Sequence, residues 1–161
     1  MGDKPESVTG GCLCGAVRYE ASEPPFDAHY CHCRMCQKAS GAPVMAHAFV
    51  SSDGFRFTQG EPKFYKSSPL GDRGFCANCG TLLLFRPLIP EWSDWITIPI
   101  ANLDHPENLA PERHFGTESQ IVWFNIQDDL PRERYEDDFI QFIAHASPEE
   151  RKAASVRWEN R

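Results

Sequence analysis

The sequence predicts a mainly β domain with short C-terminal helices, and three observations carry the prediction. Short runs of alternating apolar and polar residues recur along most of the chain, each closed by Gly, Pro, Asp or Ser. Thirteen prolines and eleven glycines in 161 residues interrupt long helices and suit strands joined by turns. Helical spacing of apolar residues becomes evident only beyond about Asp128. With 41% hydrophobic and 24% charged residues, a chain of this length has the composition of one ordinary globular domain, which excludes disorder of the whole. Domains of about 150 residues remove roughly 68–70% of the unfolded chain's surface from water, so no disulfides are needed for folding.

Taken in order, residues 16–20 alternate directly after Cys14-Gly15 and read as the first strand. Residues 36–40 read as a short helical turn, stopped by Gly41 and Pro43. Residues 44–50, 55–58 and 63–66 read as strands, as do 81–85 after Cys79-Gly80, then 95–100 and 119–124. Beyond Asp128, Phe139, Ile140, Phe142 and Ile143 recur at helical spacing. Ser147-Pro148-Glu149-Glu150 is a helix start, with Ser147 as cap, Pro148 at the first helical position and Glu150 at the capping-box position. These helices either cover a sheet edge or form a homodimer contact. Asp128, Asp129, Glu133, Glu136, Asp137 and Asp138 form an acidic cluster, read as a solvated face.

Charge narrows the partners. A formal net charge of −7 argues against a broad electrostatic grip on nucleic acid or anionic lipid, although a local basic pocket is compatible with it. No window approaches the roughly 20 apolar residues of a membrane span. The start has neither a basic stretch nor an apolar one, and Glu6 breaks the myristoylation pattern after Gly2. The expectation is a cytoplasmic protein with no nucleic-acid or membrane partner.

Seven cysteines without a secretory signal argue against a disulfide framework, and their clustering argues for metal. They fall as Cys12-Leu13-Cys14, Cys31-His32-Cys33-Arg34-Met35-Cys36 and Cys76-Ala77-Asn78-Cys79. Two cysteines one or two residues apart can place both sulfurs on one zinc ion, which supplies half a site. The Cys-x-Cys-Gly and Cys-x-x-Cys-Gly knuckles match, because a glycine after the second ligand lets the backbone turn and aim N–H groups at sulfur. Pairing them gives a Cys₄ structural site of Cys12, Cys14, Cys76 and Cys79 that closes the 61 residues between Cys14 and Cys76. The partition Cys12, Cys14, Cys31 and Cys33, leaving Cys36, Cys76 and Cys79, is also chemically allowed.

Cys31, Cys33 and Cys36 then form three ligands with a free fourth position, the arrangement of catalytic zinc. His29, His32 or a more distant histidine completing a closed site is the alternative, as are free thiols. Three thiolates on a divalent ion leave a net charge of −1, a weak Lewis acid that favours a soft fourth ligand such as a substrate thiol. His47 reads as an ordinary strand histidine, and His105 before Pro106 as a turn residue.

The three cysteine motifs with their flanks, Gly11-Cys12-Leu13-Cys14-Gly15-Ala16-Val17-Arg18-Tyr19, the triad segment and Gly74-Phe75-Cys76-Ala77-Asn78-Cys79-Gly80-Thr81, resemble the glutathione-dependent formaldehyde-activating enzyme family, which shares its domain with centromere protein V. The resemblance spans about residues 9–135 and leaves 136–161 as a helical C-terminal extension. It implies coiled antiparallel β-sheets holding two zinc ions, structural at Cys12, Cys14, Cys76 and Cys79 and catalytic at Cys31, Cys33 and Cys36. The implied activity is a carbon–sulfur lyase of the S-(hydroxymethyl)glutathione synthase type, joining a low-molecular-weight thiol such as glutathione to an aldehyde such as formaldehyde. The stretch 114–123 is similar to the family's His-containing segment, which makes His114 and Glu118 pocket candidates. Arg34, Lys38 and Arg73 are the cations placed to orient a thiol's carboxylates. The rival reading is a non-catalytic zinc module that binds a thiol or a protein partner.

Overall fold

The computed structural model describes residues 5–134. The expected helices beyond residue 136, and any dimer contact they make, lie outside the described residues. The described chain is mainly β, as expected. Strands β1 (Val8–Gly11), β2 (Arg18–Ala21) and β5 (Phe55–Gln59) form a three-stranded sheet in the order β1-β2-β5. The larger sheet is built from β3 (Phe26–Cys31), β4 (Met45–Ser51), β6 (Lys63–Ser68), β7 (Gly71–Phe75), β8 (Leu82–Pro87), β9 (Trp95–Pro99) and β10 (Arg113–Phe115). Its order is β10-β3-β4-β9-β8-β7-β6, with β10 parallel to β3 and the other neighbours antiparallel. One helix, α1 (Arg34–Ser40), follows β3.

Because side chains alternate across a strand, the larger sheet has two distinct faces. Ala28, Ala48, Val50, Ile96, Ile98 and Leu84 point to one, and pack with Val8, Tyr19 and Ala21 of the smaller sheet in the main hydrophobic core. The residues between them, His29, Cys31, His47, Phe49, Trp95, Thr97, Phe85 and Arg73, line a cavity on the other. Cross-strand register assembles part of that face into a row: Phe49 opposes Thr97, Thr97 opposes Phe85, Phe85 opposes Arg73, and Arg73 opposes Tyr65.

One expected strand does not form. Residues 119–124 lie in a turn after the 3₁₀ segment Thr117–Ser119, closed by Phe124 N–H donating to Ile121 O at 2.9 Å. Val122 and Trp123 are 99% and 76% exposed, so their apolar side chains have no sheet face to join. The turn before it is reinforced by Gln120 Nε2 donating to Phe124 O.

Candidate metal centres and substrate cavity

The two cysteine knuckles meet where β1 ends and where β7 turns into β8. The sulfurs of Cys12, Cys14, Cys76 and Cys79 all lie within 4.8 Å of one another. Cys12 Sγ is 3.6 Å from Cys14 Sγ, and Cys14 Sγ is 3.8 Å from Cys76 Sγ. Four sulfurs at 2.3 Å from a tetrahedral zinc would stand about 3.8 Å apart, so the donors fit that ion in type and spacing. The favoured partition is thus the one the fold brings together, and the alternative using Cys31 and Cys33 is not.

Local backbone chemistry explains the knuckles. Gly15 and Gly80 follow the second cysteine of each and take φ of 75° and 76°, the left-handed region where a Cβ is penalised. Their N–H groups donate back to Cys12 O and Cys76 O. Val17 N–H donates to Cys12 Sγ at 3.2 Å, and the Thr81 hydroxyl meets Cys79 Sγ at 3.2 Å. The Thr81 hydroxyl, with backbone N–H groups, pulls the Cys79 thiol down to about 5, which favours the thiolate a metal requires. Thr81 also accepts from Leu13 N–H, so one hydroxyl joins both knuckles.

The second centre sits at the end of β3. Cys31 is the last residue of that strand, Cys33 caps α1 by accepting from Cys36 N–H at 3.4 Å, and Cys36 lies in the first turn of the helix. All three are buried and their sulfurs interact with one another. Contact with the Cys31 and Cys33 sulfurs holds the Cys36 thiol well below its usual range, while Cys33 and Cys36 push Cys31 well above it. Arg73 Nη2 reaches Cys36 Sγ at 3.9 Å and favours the same thiolate.

His47, read from the sequence as an ordinary strand histidine, lies against this centre. A ring nitrogen of His47 and the sulfurs of Cys31 and Cys36 lie within 4.8 Å of one another, with Cys33 beside the two sulfurs but outside that group. Its Nδ1 is buried without a hydrogen-bond partner, an arrangement costly enough to call for an explanation. Burial lowers the ring to about 4, so it is a neutral nitrogen donor. Two sulfurs and one imidazole, with the Cys33 sulfur beside them, are donors of the type zinc takes, and three of them leave a fourth position.

A buried relay lies behind the triad. His32, between two of the cysteines, places Nε2 2.8 Å from His114 Nδ1, and His114 Nε2 is 3.0 Å from both oxygens of Asp128. Asp128 accepts from His114 Nε2–H, and a single proton is shared between His114 Nδ1 and His32 Nε2. His32 Nδ1 is buried with no hydrogen-bond partner. The His32 backbone is fixed as well: its N–H donates to Phe115 O, and its carbonyl accepts from Gln37 Nε2 at 2.7 Å. His114 is fully buried between the Tyr30 and His32 rings and does not line the cavity.

The remaining candidates are dispersed. Arg73 lines the cavity beside the triad. Lys38 lines an adjoining cleft of about 440 Å³ that shares Arg73 and Met35 with it. Arg34 donates to Gln37 Oε1 and so braces the residue that holds the His32 carbonyl. Glu118 sits in the 3₁₀ segment after β10 and lines neither space. The cavity measures about 560 Å³, and Asp27 at its rim takes φ of 47° while its carboxylate holds both Arg113 Nε and Nη2 at 2.8 Å.

Among the described residues no helix is long and apolar enough to cross a membrane. Residues 7–119 match the family model described as glutathione-dependent formaldehyde-activating enzyme. An uncharacterised lyase of Schizosaccharomyces pombe is 36% identical over 78 residues, 47% of this chain and 55% of that protein. The match therefore spans about half the length of this curated relative. A Rhodobacter sphaeroides protein of known crystal structure aligns at 21% identity over 60% of this chain and 88% of its own, with a TM-score of 0.48.

Proposed function

Because the chain belongs to the glutathione-dependent formaldehyde-activating enzyme family, we propose that it is a zinc-dependent carbon–sulfur lyase-type enzyme, joining a low-molecular-weight thiol such as glutathione to a small aldehyde. The observation that carries this reading is the thiolate cluster at the floor of a cavity large enough for a small-molecule adduct. Zinc held there by three of the donors that Cys31, Cys33, Cys36 and His47 offer would keep a fourth position for an incoming thiol, lower its pKa and keep its sulfur nucleophilic. A second ion held by Cys12, Cys14, Cys76 and Cys79 would tie the small sheet to the large one and serve the fold.

The chain's own residues do the rest. Lys38 and Arg73 face the cleft beside the triad and orient the thiol's carboxylates. Asp128, His114 and Gln37 fix the His32 turn, so that Cys31 and Cys33 keep their spacing. In the reaction a sulfur–carbon bond forms as the carbonyl π bond opens, and the thiol proton ends on the carbonyl oxygen. Proximity is the main source of acceleration, since thiols add to aldehydes unaided. Adduct formation from glutathione and formaldehyde, followed against the uncatalysed rate with zinc-loaded protein, tests this. Thiol binding without acceleration would instead make the protein a zinc-based thiol-binding module.

A further inference from the structure

The cavity over the triad is built for a larger and less polar molecule than formaldehyde. Formaldehyde has two heavy atoms, whereas this cavity has a volume of about 560 Å³. Phe49, Phe85, Trp92, Trp95 and Phe115 supply five aromatic rings to its lining. Phe49 and Trp95 meet edge to face at 4.5 Å, and Trp92 stacks on Trp95 at 6.4 Å. Such walls attract a third ring in offset or edge geometry and gain from removing its apolar surface from water.

The charged ends of a peptide thiol suit the adjoining space better. On the aromatic side, the Arg113 guanidinium is paired with the carboxylates of Asp27 and Glu133. Arg73 also faces the cleft of about 440 Å³, where Lys38, Tyr65 and Ser67 add polar groups. The two spaces share Met35 and Arg73, and the thiolate cluster stands on the aromatic side of that shared wall. The arrangement separates a polar berth from an aromatic one, with the reactive sulfurs next to both.

From this juxtaposition we infer that the aldehyde substrate carries an aryl group, which enters the cavity of Phe49, Trp92 and Trp95 while the thiol's carboxylates lie toward Lys38 and Arg73. The inference rests on the proposed thiol–aldehyde chemistry and gives it a substrate class. Addition of the thiol to an aryl aldehyde forms one sulfur–carbon bond, opens the carbonyl and moves the thiol proton to oxygen. The product is a hemithioacetal, and no oxidant or reductant is required.

Stable S-conjugates of glutathione test the geometry without turnover. Calorimetry on zinc-loaded protein should find S-benzylglutathione binding at least about tenfold tighter than S-methylglutathione, equivalent to about 1.4 kcal/mol. Trp95→Ala should abolish that preference and leave glutathione affinity within about twofold. Trp92→Ala, in the 3₁₀ segment Pro90–Trp92 at the protein surface, should reduce the preference even if Trp95→Ala does not fold. Equal affinity for the two conjugates, or equal losses for both in the Trp92→Ala variant, would overturn the aryl assignment while leaving the proposed function standing provided glutathione binds. Failure of glutathione itself to bind at full zinc occupancy would overturn both.

Discussion

His32 Nε2 lies 2.8 Å from His114 Nδ1, joining residues 82 apart in sequence directly behind the thiolate cluster. The contact orients the turn between Cys31 and Cys33 from outside the cavity. His114→Ala or Asp128→Asn should therefore weaken metal binding at that centre by about 10–100-fold, the usual effect of removing a group that orients a ligand segment. The Cys₄ site should be unaffected. Competition with a chromophoric chelator, which resolves two classes of zinc, measures this; equal loss from both classes would show general destabilisation instead.

Cys79→Ser should cost far more stability than Cys36→Ser. The first breaks a four-sulfur centre that joins two sheets, whereas the second removes a ligand from a centre held within one sheet, by the end of β3, the start of α1 and His47 on the neighbouring β4. A fall in Tm of at least about 10 °C is expected for Cys79→Ser. A larger fall for Cys36→Ser would reverse the assignment of structural and substrate-facing sites.

Gly80→Ala should destabilise the protein by about 1–2 kcal/mol in denaturant melts. No atom lies within 4 Å of the added methyl group, so the cost comes from its φ of 76° rather than from a clash. An unchanged midpoint would show that the knuckle turns without strain when alanine replaces glycine.

How legible was this molecule? Strand β5 stands out because its residues alternate between half-buried and exposed, while β4 and β9 stand out as short, mostly apolar runs. β3 does not, since Asp27 and His29 occupy positions where an ordinary strand would show apolar residues, and both serve the cavity. β7 contains Gly71, Asp72, Arg73 and Gly74 and acquires strand character only from its neighbours on both sides. Residues 119–124 misled in the opposite direction, because Val122 and Trp123 stand exposed in a turn while Ile121 and Phe124 are only half-buried. The cysteine partition was readable from matching knuckle chemistry. His47 was not, because its place depends on cross-strand register: His29 opposes His47, and Cys31 opposes Met45 two residues before it. The His32–His114–Asp128 relay was equally hidden, as nothing in the spacing of 32, 114 and 128 signals contact.

Acid should unfold the protein through its buried histidines. Burial, then the neighbouring His47, holds His29 at about 4 against an ordinary 6.5. The unfolded chain therefore takes up a proton first as pH falls, so this contribution is full above about 6.5 and is lost as pH falls toward about 4. Between about pH 7 and pH 5, the unfolding free energy of the wild type should fall more steeply than that of His29→Gln. Identical slopes would assign the acid sensitivity to other groups.

The central claim is that a thiol is captured at the Cys31, Cys33 and Cys36 centre. Cobalt(II) replaces zinc in sulfur-rich tetrahedral sites and reports each added thiolate in its absorption. Titrating glutathione into the fully cobalt-loaded protein should produce a saturable rise in thiolate-to-metal charge-transfer absorption in the wild type, and none in Cys36→Ser with its Cys₄ site still loaded. A wild-type spectrum that does not change with glutathione at full cobalt occupancy would contradict the account.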